Sequence, residues 1–182
     1  MAKGRVILQE ERFKFTLERL CQQLIENYSD FENTCIIGIQ DRGVLLAERV
    51  VECLSANLKK STIEFGKLDI TFYRDDFRTR EMPLEASSTE IDFLVENKRV
   101  ILIDDVLYTG RTVQAAMSAL LAFGRPATVE LLTMVDRRFN RHLPIISDYT
   151  GITIDALDEA YVRVELEQIE GKDRILIFSA KK

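Results

Sequence analysis

Apolar residues along this chain follow two alternating periods, and the switch between them lays out the fold. From Glu10 to Asn27, the residues Phe13, Leu17, Leu20, Cys21, Leu24 and Ile25 recur at the spacing of one helix face. Val44 to Leu58 and Val113 to Phe123 repeat that spacing. Between the helices stand short apolar runs at Cys35 to Ile39, Phe65 to Tyr73, Val100 to Ile103 and Val129 to Val135. Short β-branched runs with little polar alternation are how strands buried on both faces read. Val6 to Leu8 reads as a short edge strand, and Val162 to Leu166 and Ile175 to Phe178 as short strands closing the chain. This alternation predicts an α/β fold, a central and mostly parallel sheet flanked by helices on both faces. Residues 74–95 break the pattern: they are polar and charged, with one Pro and little periodicity. A loop of that length inside a compact domain is a lid or a binding element. No repeat, low-complexity segment or linker divides the chain, so residues 1–182 are expected to form one domain.

Composition narrows the class only a little. Hydrophobic residues make up 46% of the 182 positions and charged residues 30%, the balance of an ordinary soluble protein. There is no apolar stretch of the roughly 18 residues a membrane span needs. Met1 to Arg5 lead into the first strand-like run without the apolar core of a signal peptide. The cysteines, Cys21, Cys35 and Cys53, are too widely spaced for a zinc site or a disulfide framework. A cytoplasmic protein with reduced thiols is therefore expected. A net charge of −5 removes the bulk electrostatic argument for nucleic-acid binding, so any RNA contact would need a local basic patch.

Chemistry concentrates in one string, Arg99-Val-Ile-Leu-Ile-Asp-Asp-Val-Leu-Tyr-Thr-Gly-Arg-Thr112. The apolar run ends in adjacent carboxylates, Asp104 and Asp105, and a turn through Thr109, Gly110, Arg111 and Thr112 opens the next helix. The first amides of that helix lack intrahelical partners, and the helix dipole is positive at that end. With the Thr109 and Thr112 hydroxyls they suit a phosphate monoester. Gly110 lets the backbone turn tightly and approach the anion closely. The two carboxylates would repel phosphate, so they are expected to face ribose hydroxyls, directly or through a hydrated divalent metal.

The string resembles the phosphoribosyl-pyrophosphate (PRPP) motif of type I phosphoribosyltransferases, in the form carried by the PyrR family. Those proteins are bifunctional pyrimidine-operon regulators and uracil phosphoribosyltransferases. Leu68 to Asp76, Phe123-Gly124-Arg125-Pro126, Val135-Asp136-Arg137, and Leu143-Pro144-Ile145 with Asp148-Tyr149 are similar too, so the resemblance spans nearly the whole chain. It implies the type I phosphoribosyltransferase fold, with a flexible lid loop at about 74–95 and a C-terminal hood at about 136–160. It assigns PRPP and nucleotide binding to Asp104, Asp105, Val106, Leu107, Tyr108, Thr109, Gly110, Arg111 and Thr112. The Gln40-Asp41-Arg42-Gly43 turn lies where the family has its pyrophosphate loop, with Arg42 and Gly43 toward the diphosphate; Asp41 departs from the family's pattern. In the lid, Arg74 ranks first, being nearest the strand end. Arg78 and Arg80 add positive charge for the diphosphate, and Asp75 and Asp76 are either metal-linked or solvated. Asp136 and Arg137 fall where the nucleobase is held, and His142 is expected on a surface loop. Asp104, Asp105 and Arg42 are the expected catalytic groups, and Asp104 and Asp105 the metal contacts, through water or ribose hydroxyls.

The activity implied is uracil plus PRPP giving UMP and pyrophosphate, with Mg²⁺ as cofactor. Purine-specific relatives carry an Asp where this chain has Tyr108. A regulator that senses UMP or UTP and binds attenuator RNA is the alternative, and a type I transferase for orotate, xanthine or guanine is a third reading. RNA-binding members offer a Thr, a His and an Arg on the first helix, where this chain has Glu18, Gln22 and Asn27. They offer two Arg and a Lys near the Leu143-Pro144 segment, where this chain has Arg141, Ile146 and Ile152. Only Arg141 matches, so weak or absent RNA binding is expected. The resemblance also implies a homodimer or higher homo-oligomer.

Overall fold

In the computed structural model, which describes residues 4–58, 63–74, 88–156 and 160–178, the apolar runs resolve into two sheets. In chain order the elements are β1 (Arg5–Leu8), α1 (Glu10–Tyr28), β2 (Thr34–Ile39), α2 (Arg42–Leu58), β3 (Glu64–Leu68), β4 (Arg99–Leu107), α3 (Arg111–Leu120), β5 (Thr128–Arg138), β6 (Tyr149–Asp155), β7 (Tyr161–Glu165), α4 (Glu167–Glu170) and β8 (Arg174–Phe178). The main sheet has five strands in the order β3-β2-β4-β5-β6, and every pairing in it is parallel. A smaller antiparallel sheet, β1-β8-β7, joins the two ends of the chain.

Period-2 geometry divides the main sheet's side chains between two cores. Ile36, Ile101, Ile103, Leu132 and Met134 face α1, α2 and the small sheet. Cys35, Ile37, Val100, Leu102 and Leu131 face α3. Ile36, Ile101, Ile103 and Leu102 are fully buried, and each such side chain contributes about 1.5–3 kcal/mol by leaving water. Cys21 and Cys35 are buried and Cys53 half-buried, all as free thiols. Among the described residues no helix is long and apolar enough to cross a membrane.

The structure departs from the sequence expectations in four places. The run Phe65 to Tyr73 ends as a strand at Leu68. There the Asp69 carboxylate accepts from the Thr71 amide at 2.8 Å and its hydroxyl at 2.6 Å, closing a side-chain turn. The strand expected to stop at Ile103 continues to Leu107, because Asp104 and Val106 pair with Thr133 and Val135 of β5. β6 was not expected: it lies inside the segment assigned to the hood. The cover above the sheet is built instead from β1, β7 and β8, and much of 136–155 belongs to the main sheet. Of the lid segment, residues 88–90 return beside β3, where Lys67 and Glu90 exchange backbone bonds of 2.9 and 2.8 Å. Asp75, Asp76, Arg78 and Arg80 lie outside the described residues.

Candidate active site

A parallel sheet brings the C-terminal ends of its strands to one edge, and ligands bind α/β proteins along that edge. Here β2 delivers the 40–43 turn, β4 the acid pair and β5 Asp136 and Arg137. Asp104 is 7% exposed, and its Oδ1 accepts the Asp105 amide at 2.9 Å. Burial pushes the Asp104 carboxyl well above the usual carboxylate range, neighbouring Asp105 pushes the same way, and the Arg74 charge opposes both. Asp105 is raised by burial too, with the Arg42 guanidinium pulling it back. Two desolvated acids side by side call for hydrogen-bond donors or a cation.

The turn after the acid pair is shaped by Gly110, which takes φ 90° and caps α3 without a side chain. A Cβ there would meet Ile145 at 3.2 Å and Leu143 at 3.4 Å, besides being strained by the positive φ. The Thr109 carbonyl accepts from the amides of His142 at 3.0 Å and Leu143 at 3.3 Å, so the loop after β5 folds against the turn. His142 is exposed, and its ring accepts from Arg111 Nε at 3.4 Å. Gly43 fits tightly under the acid strand, where a Cβ would overlap the Ile103 carbonyl. Asp41, the departure from the expected loop, is exposed.

Between the acid strand and the small sheet lies a pocket of about 330 Å³, lined by Arg42, Asp105, Tyr108, Arg137, Val162 and Val164 among others. Arg137 is 5% exposed, with its guanidinium carbon 3.7 Å from the centre of the Tyr108 ring. At that distance the cation lies against the ring, and both side chains line the pocket. Asp136 is not part of that lining. It pairs with Arg141, whose other nitrogen donates to the Tyr108 carbonyl at 2.5 Å. Arg42 sits at the mouth of the pocket, its Nη1 donating to the Val164 carbonyl at 2.7 Å and its Nη2 to Glu170 Oε1 at 2.5 Å.

The structure thus gathers Arg42, Asp105, Tyr108 and Arg137 around one cavity, places Thr109 to Thr112 beside it, and sets Asp136 behind Tyr108. Sequence reasoning missed the small-sheet wall, Val162 and Val164 with Glu170 behind them. These residues stand more than a hundred positions from Arg42 and carry no local motif.

The phosphoribosyl transferase domain model matches residues 5–169. A bifunctional protein PyrR from Caldicellulosiruptor bescii is 38% identical, covering 97% of this chain and 96% of that protein. A bifunctional protein PyrR from Bacillus cereus is 37% identical, covering 98% and 99%. The chain belongs to the PyrR family of phosphoribosyltransferases. Among solved structures, this PyrR-family chain resembles a hypoxanthine phosphoribosyltransferase from Staphylococcus aureus, with a TM-score of 0.66 and 21% identity over 97% of this chain and 92% of the other. It also resembles the hypoxanthine phosphoribosyltransferase of Trypanosoma cruzi, with a TM-score of 0.68 and 13% identity over 97% of each chain. At those identities the likeness is one of fold, the type I phosphoribosyltransferase fold.

Proposed function

We propose that this chain transfers the phosphoribosyl group of PRPP to uracil, releasing UMP and pyrophosphate. One observation carries the reading. An acid pair, a glycine-shaped helix-opening turn and a cavity walled by Tyr108 and Arg137 share a single sheet edge. A phosphorylated sugar with a ring attached needs those three parts in that order. The phosphate meets the amides and hydroxyls of Thr109 to Thr112, and Asp104 and Asp105 take the ribose hydroxyls. The base lies against Tyr108 and Arg137. Arg137 can donate to a uracil carbonyl, and no acid at position 108 is available to a purine nitrogen. Asp136 acts behind the pocket, fixing Tyr108 through Arg141.

Displacement at the anomeric carbon passes through a cationic sugar, which negative charge beneath the ring stabilises. Asp104 and Asp105 position and stabilise and do not attack. Arg42, with the amides of the 40–43 turn including Gly43, takes charge from the departing diphosphate, and Arg74 adds to that field. Among the described residues no three His, Cys, Asp or Glu side chains converge as a metal cage. Two carboxylates fit Mg²⁺, which binds through one or two acids and substrate oxygens. When bound there, Mg²⁺ would neutralise the diphosphate.

The positions that would carry RNA contacts support enzyme over regulator. Glu18 and Gln22 are exposed on α1, Asn27 donates to the Tyr149 hydroxyl at 2.8 Å, and Ile146 is 80% exposed without charge. Arg141 is tied to Asp136. On this reading the protein is a cytoplasmic enzyme, a homodimer or higher homo-oligomer, and a poor RNA binder.

The test is turnover of labelled uracil with PRPP and Mg²⁺, beside orotate and hypoxanthine. UMP formed by the native chain and lost with Asp104→Asn plus Asp105→Asn is the expected result. A preference for either other base would overturn the substrate assignment.

A further inference from the structure

Helix α2 grips the small sheet at two points. Arg42 and Arg49 stand two helical turns apart and so share one face. Arg49 donates from Nη1 to Asp173 Oδ1 at 2.8 Å and from Nη2 to Oδ2 at 2.6 Å. Asp173 also accepts the Glu167 amide at 2.9 Å, which anchors the start of α4. None of these three residues lines the active-site pocket.

The second grip is at the pocket. Glu170, the last residue of α4, takes Arg42 Nη2 on Oε1 at 2.5 Å and Nη1 on Oε2 at 3.2 Å. It also accepts Arg163 Nη2 at 2.9 Å and the Leu166 amide at 2.8 Å. With four donors and a side chain 12% exposed, the carboxylate is a fixed point and not a solvated surface acid. Arg42 then reaches Val164 of the β7 wall, and it lines the same pocket as Asp105. A long cation at a cavity mouth would otherwise spread over many rotamers.

We propose that Glu170 is a positioning residue for phosphoribosyl transfer that acts through Arg42, holding its guanidinium between Asp105 and the β7 wall so that the 40–43 turn and the small sheet keep one spacing across the pocket. The role rests on the transferase reading above, but not on uracil being the base.

The experiment compares native protein with Glu170→Gln, Glu170→Asp, Arg42→Gln, the Glu170→Gln/Arg42→Gln double variant and Asp173→Asn. Three quantities are measured: the PRPP dissociation constant by calorimetry with Mg²⁺, KM and kcat for turnover, and the thermal midpoint. Glu170→Gln is expected to weaken PRPP binding and raise its KM about tenfold, the scale of one weakened charge-assisted bond, with kcat changing much less. Glu170→Asp recovers part of that loss. The double variant is no worse than Arg42→Gln alone, because one side chain works through the other. Asp173→Asn lowers the thermal midpoint and leaves PRPP affinity unchanged, which separates holding the fold from holding Arg42. A native PRPP affinity in Glu170→Gln, losses that multiply in the double variant, or an equal loss in Asp173→Asn would overturn the proposal. If the native chain binds PRPP but makes no UMP, the uracil assignment falls and the binding comparison still decides Glu170.

Discussion

Arg137 lies in β5 and Tyr108 directly follows β4, two strands that pair residue for residue through Leu107 and Asp136. A hydrogen bond from a charged donor to a uracil carbonyl is worth about 1.5–3 kcal/mol, roughly tenfold to a hundredfold in affinity. Arg137→Ala should therefore raise KM for uracil by at least about tenfold, with KM for PRPP changing little. A loss confined to PRPP would place Arg137 on the phosphates instead. Gly110 offers a second check. Ala at φ 90° against Ile145 should cost about 1–3 kcal/mol and weaken PRPP binding. Thermal unfolding with and without PRPP reads both effects, and an Ala variant with native stability would mean that the turn relaxes freely. At this scale the acid pair and the phosphate turn were legible because their chemistry lies in residue types at fixed spacing. The company those residues keep was not. Nothing local says that Asp136 pairs with Arg141 or that Arg42 is met by Glu170.

Elements were legible where burial is symmetric. β2 and the first half of β4 are apolar on both faces, and α1, α2 and α3 repeat with helical spacing. They were misread where polar atoms are satisfied by pairing. β4 runs through Asp104 and Asp105 because β5 supplies its backbone partners, so the acids sit inside a strand and are held more rigidly than a loop would hold them. β6 hides in Tyr-Thr-Gly-Ile-Thr-Ile-Asp, whose β-branched residues were the available signal. The tie between α2 and α4 has a pH signature. The Glu170 carboxyl is held down to about 2, chiefly by the Arg42 hydrogen bonds, against an ordinary value of 4.5. A depressed acid stabilises the fold fully above its unfolded value and loses that contribution as pH falls through its folded one. The gap in urea stability between native protein and Glu170→Gln should thus be on the order of 1 kcal/mol at pH 7, allowing for solvent screening. It should narrow steadily from pH 4.5 toward 2. A gap independent of pH would mean that the charge on Glu170 contributes nothing to folding.

For the whole molecule, the small sheet closing over the edge of the parallel one sets the pocket, and no single stretch of sequence announces it: its strands come from both ends of the chain. Surface charge, by contrast, is a whole-chain property readable from composition, and it bears on the regulator question. Binding RNA releases counterions, so affinity falls with salt by about 0.7 log units per log unit for each phosphate contacted on a single strand. A net charge of −5, Glu18 on the face of α1 and an uncharged Ile146 leave few such contacts. With its own pyrimidine-operon leader RNA, the native chain should show no nanomolar complex at physiological salt, with or without UMP. Ile146→Arg would add one cation to the surface that Arg141 also lines, whereas Ile152 packs half-buried against the core beneath α1. If that surface can face RNA at all, Ile146→Arg should tighten binding and steepen the salt dependence by about 0.7, the share of one contact. A tight native complex would make the chain a regulator despite its charge. An Ile146→Arg variant with unchanged affinity and salt slope would show that RNA does not approach this face, and that the missing cation there is not what separates this chain from an RNA binder.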